Sequence, residues 1–593
     1  MKTTSPARSV DISPIISAVR KPARWNLPPL DPSVVESLSR QLGVSPLLAR
    51  ILCRRGFPDP GAALRFLQPS PDDLHDPFLM RGMREGVSRL LTAIASREPI
   101  LLYGDYDVDG TTSVVILKKV LEIAGADASF HVPHRVKDGY GMRPEVISEA
   151  ASRGIKLIVS VDTGIRANAV VQHARELGID VIVTDHHLPE SELPPAVAVL
   201  NPNQPACEYP EKNLCGAGVV LKLVQALLLE LGIPEARRRR LLDSLLKLAA
   251  IATVADVVPL TGENRVIVRY GLAGLSSTPN PGLRALLEAA GFGEGVAPSA
   301  GQVAFRVAPR INAAGRMDTA RDVVEMFLTA DVGRAREIAA HLHSLNAARQ
   351  DTEAGMLAQA LDDCQRDPVT DEQRGLVFAG AGWHKGVVGI VASRLVERFC
   401  RPVFVLGIDP EKGEATGSGR SANGFHLLEA LESMADLFTR FGGHKQAAGV
   451  TLPTDRIPEF RRRFTAYTLE RLSAEDLCPA IDVDTFAHVD ELGPHTLREW
   501  ALLGPFGFGN PTPVVAFHGV TVPDPPVLMK EKHLRFRITH ERRWLTCKGW
   551  NWASRLAEIP IGSPVDVVAA VEEDTYSGGV SAILKDVRPA SCG

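Results

Sequence analysis

The chain has 593 residues, and this length predicts several domains because one hydrophobic core does not support so many residues. Its 66 lysines and arginines against 70 aspartates and glutamates give a formal net charge of −4, which excludes a polycation; nucleic-acid binding would need a local basic groove. No apolar run reaches the roughly 18 residues of a membrane span, and the eight cysteines form no C-x-x-C pair, which favours a reducing cytoplasm.

The N-terminal part is predicted to hold a tail and a helical segment. Residues 1–24 lack a continuous apolar stretch and a signal-cleavage site, so we expect a flexible tail without a secretory signal. Residues 25–95 are predicted to be helical, with "DPSVVESLSRQLGV" and "SPLLARILCRRG" as two short capped helices.

A strand–helix alternation comes next, in residues 96–262. "PILLYG" (99–104) is predicted to be a strand and "TTSVVILKKVLEIAG" (111–125) a helix. The runs "ASFHVP", "IKLIVSVD", "IDVIVTD" and "AVAVLNP" continue the strands, with helical patterns between the earlier ones. Nearly continuous Val/Ile/Leu strands separated by helices indicate an α/β fold with a parallel, doubly wound sheet.

Three more segments complete the predicted organisation. Residues 263–371 are mostly helical and connect the first sheet to a second α/β unit. That unit occupies residues 372–456 and begins with "GLVFAGAGWHKGVVGIVASRLVERF". Residues 480–593 are rich in short β-type runs, proline and glycine, which predicts a small β-domain.

Acidic side chains come directly after the predicted strands of the first sheet. The carboxyl ends of parallel strands meet at one edge, where α/β proteins bind ligands, so we expect these side chains to converge. An apolar run further on also holds an aspartate, which would be costly to bury unpaired. The set is Asp105, Asp107 and Asp109, Asp162, Asp185, His186 and His187, and Asp256.

A cation is needed between so many carboxylates. The alternate aspartates in "GDYDVDG" suggest a calcium loop, but the position that requires a bidentate Glu is Ile116 and the preceding residues are a strand. Carboxylates with imidazole and without thiolate suit Mn²⁺ or Mg²⁺. The number of carboxylates exceeds what one ion needs, and two ions ~3.5–4 Å apart are typical of phosphoryl displacement.

The motifs "GDYDVDG", "VDTG", "TDHH" and "TVADVVP" resemble those of the DHH phosphoesterase superfamily. The resemblance implies a hydrolase that uses two Mn²⁺ or Mg²⁺ ions. Its motif match implies that Asp105 and Asp185 are ligands or orienting groups and that His187 faces the scissile phosphate. The implied metal ligands are Asp107, Asp109, Asp162, His186 and Asp256.

Phosphate-binding residues are expected in glycine-rich segments. "APRINAAGRMDTA" offers Arg310, Asn312 and Arg316 in a predicted loop, and "GSGRS" (417–421) is interpreted as an anion-binding nest. Together with "FGGHKQAAG" these segments resemble the DHH-associated domain. The resemblance implies that this domain contacts substrate phosphate, and Arg135 in "HVPHRVKDGYG" is a further candidate. The residues it implies in the second α/β unit are Gly419, Arg420, Ser421 and His444.

The C-terminal zone combines basic and aromatic side chains in "MKEKHLRFRITHERRWLTCKGWNW". Strand alternation in "LRFRI" predicts that Leu534, Phe536 and Ile538 face the interior. Short strands with a basic face resemble an OB-fold barrel that binds single-stranded nucleic acid. The candidate contacts are Lys532, Arg535, Arg537, Arg542 and Lys548.

From about residue 25 onward, the order of motifs resembles RecJ-type exonucleases, with "PFGFGNPTP" (505–513) at the join to the OB-fold. The resemblance implies 5′→3′ degradation of single-stranded DNA in recombination and repair, in the cytoplasm. A DHH phosphodiesterase acting on short oligonucleotides or cyclic dinucleotides is the alternative, but such enzymes usually lack the long helical insert and the basic tail. A scaffold without activity is a third possibility, disfavoured because no motif has lost a metal ligand.

The resemblance also implies partners. Single-stranded DNA is the expected substrate, and a single-strand-binding protein and a RecQ-type helicase are expected protein contacts. No membrane partner is expected. Nothing in the sequence demands a dimer, so a monomer is expected.

Overall fold

The computed structural model describes residues 23–135, 138–139, 141–422, 424–540, 543–574 and 579–590; residues 1–22 of the predicted tail (1–24) lie outside this range, and Arg24 begins a strand. The chain forms two compact units. One unit comprises Asp59–Ala348 and Glu499–Thr512, and we call it the catalytic unit. The other comprises Met1–Pro58, Arg349–Arg498 and Pro513–Gly593, and we call it the accessory unit.

The catalytic unit is built on a five-stranded parallel sheet. The central strands Ile100–Tyr103 and Leu157–Val161 are completely buried and almost entirely apolar, because helices cover both faces of the sheet. Each strand but the last is followed by a helix or loop that returns the chain to the same edge. In spatial order the strands are Ala128–His131, Ile100–Tyr103, Leu157–Val161, Asp180–Thr184 and Ala198–Leu200.

This strand order confirms the predicted doubly wound fold. The first strand in the chain, Ile100–Tyr103, has the second strand, Ala128–His131, on one side. The third strand, Leu157–Val161, and the later strands lie on its other side, so the order reverses between Ile100–Tyr103 and Leu157–Val161. Ligands bind in such sheets beyond the carboxyl ends of the strands at this reversal. The residues that leave these two strands are therefore placed at the expected binding crevice.

Helices surround the sheet and extend the core through the segment after it. Their apolar faces form one continuous cluster with the sheet, including Leu102, Val115, Leu223 and Ile251. The first half of Val332–Arg366 also belongs to this unit. The other α-helices are Pro60–Leu67, Met83–Ser96, Val108–Ile123, Pro144–Ser152, Asn168–Glu176, Gly216–Glu230, Glu235–Ala255, Gly262–Gly274, Pro281–Ala289, Ala300–Gln302, Ala308–Met317 and Arg321–Leu328, with a π-helix at Val303–Val307.

The accessory unit contains the second α/β fold, a mixed five-stranded sheet. Only Leu376–Ala381 and Val403–Asp409 pair in parallel; the other neighbours are antiparallel. The sheet continues through Glu414–Arg420 and Ala447–Pro453 to Arg440–Gly443. Phe404, Phe460 and Phe464 form its aromatic core with the flanking helices. Those helices are Val388–Phe399, Leu427–Glu432 and Ile457–Arg471.

The third sheet, also in the accessory unit, has seven strands and closes on itself. The pairing of Thr521 with Thr539 joins the second strand to the sixth, which gives a small barrel. Leu534, Phe536 and Ile538 are buried, as the predicted alternation requires. The strands in spatial order are Thr485–Phe486, Val514–Thr521, Pro564–Asp574, Gly579–Pro589, Arg543–Gly549, His533–His540 and Val527–Met529. The helix Pro494–Leu503 precedes most of them.

Two predicted local structures are wrong, and the N-terminal segment is more mixed than predicted. Arg310, Asn312 and Arg316 lie in the helix Ala308–Met317 and not in a loop; the high helix propensity of its three alanines offsets the cost of its one glycine. "GSGR" belongs to the strand Glu414–Arg420 and forms no nest. The N-terminal segment begins with a short strand, Arg24–Asn26, that pairs with Ala480–Asp482, before the helices Pro32–Leu42 and Pro46–Arg54.

None of the described helices is both long enough and apolar enough to cross a membrane.

Candidate metal centre

Three aspartates lie at the crevice in the segment that follows the strand Ile100–Tyr103. Asp105 follows Ile100–Tyr103 and is 4% exposed. Asp107 caps the helix Val108–Ile123, accepting a hydrogen bond from the Gly110 backbone N–H at 3.0 Å. Asp109 lies in the first turn of that helix and is buried. The strand-to-helix turn therefore presents three carboxylates on one short segment.

Three further residues join them from separate elements. Asp162 follows Leu157–Val161 and has a left-handed backbone, with φ of 59°. His186 follows Asp180–Thr184, and Asp256 caps the end of the helix Glu235–Ala255. His186 Nε2 lies 3.3 Å from Asp162 Oδ1, 3.7 Å from Asp256 Oδ2 and 3.9 Å from Asp109 Oδ2.

The donor atoms form three groups that could each hold a metal ion, and the group of Asp162, His186 and His187 overlaps the other two. Asp105, Asp107 and Asp162 bring one ligand atom each within 4.8 Å of one another, and so do Asp109, His186 and Asp256. The short distance from Asp162 to His186 joins these two groups. Oxygen donors with one imidazole suit Mn²⁺ or Mg²⁺, and adjacent groups suit two ions.

Buried polar atoms without a hydrogen-bond partner show whether the cluster is suited to metal ions. Asp105 Oδ1, Asp162 Oδ1, His186 Nε2 and Asp256 Oδ2 are buried, and none has a hydrogen-bond partner among the described residues. Buried polar atoms are otherwise almost always satisfied, because desolvation without a partner is costly. Cations bound in these adjacent groups would satisfy the four atoms.

The pKa shifts of the clustered side chains also favour a bound cation. Burial raises the pKa of Asp105, Asp162 and Asp256 well above the usual range, and the neighbouring carboxylates raise it further. The pKa of Asp107 is raised by burial and by the charge of Asp109. Burial lowers the pKa of His186, which favours the neutral imidazole that ligates metals. The cluster is thus arranged to accept positive charge.

Asp185 is oriented toward the protein and not toward the cluster. It is 1% exposed and accepts hydrogen bonds from the backbone N–H groups of Ile165, His186 and His187, at 3.0, 2.8 and 3.1 Å. Its Oδ1 also lies 2.7 Å from His187 Nδ1. Between the two roles predicted for Asp185, these contacts favour the orienting one.

His187 is the more exposed imidazole of the pair, with 38% of its side chain accessible. Burial lowers its pKa, but the hydrogen bond and charge of Asp185 outweigh that effect, so the pKa is raised overall. The same contact lowers the pKa of Asp185 against the effect of its burial. His187 is therefore held as a potential cationic donor beside the cluster.

Sequence reasoning missed the residues that hold Asp109. The helix Gly216–Glu230 directs its first two N–H groups at this carboxylate: Gly216 N lies 2.5 Å from Oδ2 and Ala217 N lies 2.8 Å from Oδ1. A Cβ atom on Gly216 would lie 2.6 Å from the Cβ of Asp162. The signal in the sequence was "CGAGV" at a helix start, which carries no chemical side chain.

Two of the predicted phosphate contacts, Arg135 and Arg316, lie close to the "GDYDVDG" segment. The Arg135 guanidinium lies 5.0 Å from the centroid of the Tyr106 ring. The helix with Arg316 packs on the same segment, because a Cβ on Gly315 would lie 2.5 Å from the Tyr106 carbonyl oxygen. Arg310 instead donates to the Arg306 carbonyl and contacts His343 Nδ1 at 3.1 Å. Asn312 is half-buried in the same helix.

The predicted phosphate contacts of the accessory unit lie around one strand end. Arg420 Nη1 donates to Ser418 Oγ at 2.6 Å and to the Gly419 carbonyl at 2.8 Å. Gly389, at the start of Val388–Phe399, brings that helix to Arg420, since a Cβ there would lie 2.8 Å from Nη2. Ser418 was missed by sequence reasoning because the nest interpretation gave weight to backbone donors, which the sheet uses.

The other two residues of that set are held by backbone contacts. Ser421 Oγ donates to the Phe425 carbonyl at 2.5 Å, and the His444 backbone N–H donates to the Ala447 carbonyl at 2.8 Å. His444 follows the strand Arg440–Gly443 and is exposed. Arg420 ends one strand and His444 directly follows another strand of the same sheet.

The basic residues of the barrel differ in their exposure and in their pairing with acidic side chains. Lys532 and Arg535 are exposed. Arg537 is half-exposed, lies 5.6 Å from the centroid of the Trp544 ring and contacts Asp524 at 2.5 Å. Lys548 is mostly covered and pairs with Asp574 at 3.1 Å. Arg542 lies outside the described residues.

Family models match three parts of the chain. The "DHH family, N-terminal domain" model matches residues 99–253 and the "DHHA1 domain" model matches residues 372–470. The "RecJ OB domain" model matches residues 483–585. These ranges contain the metal-site aspartates up to Asp185, the Arg420 strand and the barrel.

Curated relatives match over most of the chain. The single-stranded-DNA-specific exonuclease RecJ of Bacillus subtilis is 41% identical over 555 residues, which cover 93% of this chain and 69% of the relative. The protein of the same name from Escherichia coli is 36% identical, covering 83% of this chain and 86% of the relative.

Solved structures match as well. RecJ from Thermus thermophilus in complex with Mn²⁺ superposes with a TM-score of 0.81 at 34% identity, covering 96% of this chain and 80% of that one. The Mg²⁺ complex of the same protein gives a TM-score of 0.75 at 32% identity and covers 96% and 79%.

Proposed function

The chain belongs to the RecJ family of single-stranded-DNA-specific exonucleases, and we propose that it removes nucleotides from the 5′ end of single-stranded DNA by two-metal phosphodiester hydrolysis. The role that goes with this activity is DNA recombination and repair. The observation that carries the metal-dependent chemistry is the convergence of four buried, unpartnered polar atoms, from Asp105, Asp162, His186 and Asp256.

The proposed ligand set rests on the geometry of the cluster. Asp107, Asp109, Asp162, His186 and Asp256 bind the metals, and Asp105 completes the group on the Asp107 side. Relatives of known structure bind Mn²⁺ and Mg²⁺, and both ions suit these oxygen-rich donors. When bound, two such ions stabilise the charge that develops on the phosphoryl oxygens and activate water for attack.

The residues beside the cluster orient and stabilise the substrate. Asp185 fixes the ring of His187 through the Nδ1 contact, so the other ring nitrogen can donate to a phosphate oxygen or to the leaving oxygen. Arg135 and Arg316 supply positive charge at the Tyr106 segment, where they can bind the phosphate backbone. Arg310 and Asn312 are proposed as backbone contacts from the same helix.

Gly419, Arg420, Ser421 and His444 are proposed to bind a substrate phosphate in the accessory unit. Ser418 is added to this set, because its hydroxyl receives the Arg420 guanidinium. A guanidinium, a hydroxyl and a helix N-terminus together form a common environment for phosphate. Removal of Arg420 should therefore raise KM more than it lowers kcat.

The barrel is proposed to hold the incoming strand. Lys532, Arg535 and Arg537 provide exposed charge, and Trp544 provides a ring that is 61% exposed. Alternating cations and rings bind single strands through phosphate contacts and base stacking. Arg542 stays in the proposal from the sequence alone. Both Arg537 and Lys548 pair with an aspartate, but the contribution of Lys548 is expected to be smaller because its side chain is mostly covered.

The proposal extends to partners and location. A single-strand-binding protein and a RecQ-type helicase are proposed as protein contacts, and a monomer acting in the cytoplasm is proposed as the working form. The cysteines at seven described positions are free thiols, which suits a reducing compartment. Sedimentation of the purified protein with and without single-stranded DNA tests the monomer.

Mutation of the metal cluster tests the function. Asp109→Ala and His186→Ala should abolish Mn²⁺-dependent hydrolysis of single-stranded DNA and leave the far-UV circular dichroism spectrum unchanged, since they remove ligands and little core volume. Activity close to that of the wild type in either variant would contradict the proposed site.

A further inference from the structure

The chain turns sharply directly after the metal-site residue Asp256. The helix Glu235–Ala255 ends there, and Val257 adopts a left-handed backbone with φ of 58° while its side chain is 59% exposed. A β-branched residue rarely adopts this conformation, and glycine is usual at such a helix end. Because the Val257 side chain is mostly exposed, its own packing stabilises this backbone conformation little. Neighbouring residues must therefore stabilise the turn.

A loop from far later in the chain contacts the residues that complete this turn. The Leu260 backbone N–H donates to the Phe508 carbonyl at 2.8 Å. A Cβ on Gly509 would lie 2.8 Å from Pro259 Cβ, and a Cβ on Gly507 would lie 2.6 Å from Leu260 Cδ1. The loop can approach the turn this closely only because both positions are glycine.

A buried arginine fixes the residues that lead directly into the loop. Arg265 is 1% exposed and donates to the carbonyls of Leu502, Leu503 and Gly504 at 2.8 to 2.9 Å. Asn510 closes the loop, since its Nδ2 donates to the carbonyls of Leu503 and Pro505 at 2.8 Å each. Buried hydrogen bonds of this kind are costly to break, so the loop is a rigid support.

The turn is also held from its other side. Asn264 Nδ2 donates to the Pro259 carbonyl at 3.1 Å and to the Asn213 carbonyl at 2.6 Å. Segment 257–260 therefore lies between a buried asparagine and the glycine loop. A change in the loop would move Pro259 and Leu260 first, and Asp256 is joined to them by two residues only.

We propose that residues 505–510 form a positioning loop that holds Asp256 in the geometry required for metal binding. The inference rests on the proposed function, because it assumes that Asp256 is a metal ligand. It goes beyond that function in assigning a role at the metal site to the "PFGFGN" segment. The loop acts through the backbone of segment 257–260, which makes its residues positioning residues.

Substitution of the two glycines tests the loop, each with a matched control. Gly509→Ala is paired with Gly562→Ala, which has a similar positive φ but open space around it. Gly507→Ala is paired with Gly293→Ala, where a Cβ also meets nothing within 4 Å. Mn²⁺ binding is measured by titration with electron paramagnetic resonance detection of free Mn²⁺, alongside the melting temperature without metal and the kcat at saturating Mn²⁺.

We expect Gly509→Ala to weaken Mn²⁺ binding about tenfold or more and Gly507→Ala less, because changes in residues that orient ligands typically cost 10- to 100-fold in affinity. The flexible end of Leu260 can give way to a methyl group at position 507, so this variant still folds if the other does not. Both controls should bind Mn²⁺ as the wild type does, and excess Mn²⁺ should restore activity in both loop variants.

Two results would overturn the inference. One is wild-type Mn²⁺ affinity in both loop variants. The other is a lower melting temperature with unchanged Mn²⁺ affinity, which would make the loop merely structural. If the wild-type protein itself failed to bind Mn²⁺ or to cut single-stranded DNA, the proposed function would fall and this inference with it.

Discussion

The backbone N–H of Gly216 donates to Asp109 Oδ2 at 2.5 Å, and the same residue leaves no room for a Cβ beside Asp162. One glycine thus orients one carboxylate of the metal cluster and determines how closely a second can approach. The positive end of the helix Gly216–Glu230 faces both. The cluster depends on this helix start as much as on its own acidic side chains.

Gly216→Ala should therefore weaken metal binding. The added methyl group would lie 2.6 Å from Asp162 Cβ and would displace either that residue or the helix start. We expect Mn²⁺ affinity to fall about tenfold or more, as measured by calorimetric titration. Gly218→Ala is the control in the same helix turn, since its methyl group meets only the flexible side chain of Leu214. Equal affinities in the two variants would contradict the orienting role of Gly216.

The carboxylate cluster should destabilise the metal-free protein at neutral and alkaline pH. The folded-state pKa of Asp256 is raised by burial and by Asp109 and Asp107, so folding favours its protonated form. That contribution is present at low pH and is lost as pH rises through the folded pKa. Each tenfold change in proton affinity corresponds to about 1.4 kcal/mol.

Asp256→Asn tests this effect without metal. In the presence of a chelator at pH 8 the variant should have a higher free energy of unfolding than the wild type, measured by denaturant titration. The difference should shrink on acidification toward pH 4. A variant less stable than the wild type at pH 8 would show that repulsion among the carboxylates is not significant.

His187 should give the activity an alkaline limit that depends on Asp185. The contact between the two raises the pKa of His187, and protonated His187 is the form suited to stabilise a phosphate oxygen. Asp185→Asn removes the charge, so the alkaline limb of the kcat–pH profile should move to lower pH. His187→Gln should abolish that limb and lower kcat about 10²-fold or more. An unchanged limb in Asp185→Asn would exclude His187 as its origin.

The barrel arginines should contribute to the salt dependence of DNA binding. The double change Arg535→Ala and Arg537→Ala is expected to weaken binding of a long single strand and to reduce the slope of log K against log salt by about 1.4, for two phosphate contacts. Lys548→Ala should change the slope less, because its side chain is mostly covered as well as paired with Asp574. Fluorescence anisotropy at several salt concentrations measures all three. Equal slopes for the double variant and the wild type would contradict the proposed interface.

The sequence predicted the features that depend on local pattern. Alternating strands and helices predicted the parallel sheet, and aspartates directly after strands predicted which side chains meet at its edge. The partner of each carboxylate was harder to predict. Gly216 carries no side chain to attract notice, and its distance from Asp109 in the chain gives no periodic signal.

The errors have a similar cause. "GSGRS" has the composition of a turn, but its small residues form a central strand because they pack against Phe404 and Leu406. "PFGFGN" was predicted to lie at the join to the OB-fold, and its composition did not indicate that its glycines also pack on Pro259 and Leu260. In both cases the neighbours that determine the conformation lie elsewhere in the chain, so local composition could not identify them.

Degradation of end-labelled single-stranded DNA tests the proposed exonuclease activity most directly. Wild-type protein with Mn²⁺ is incubated with one oligonucleotide labelled at the 5′ end and one labelled at the 3′ end, beside duplex and RNA controls and the Asp109→Ala variant. We expect immediate release of the 5′ label as mononucleotide, slow loss of the 3′ label, an intact duplex and an inactive variant. Release of the 3′ label first, activity confined to dinucleotides, or an active Asp109→Ala protein would contradict that activity.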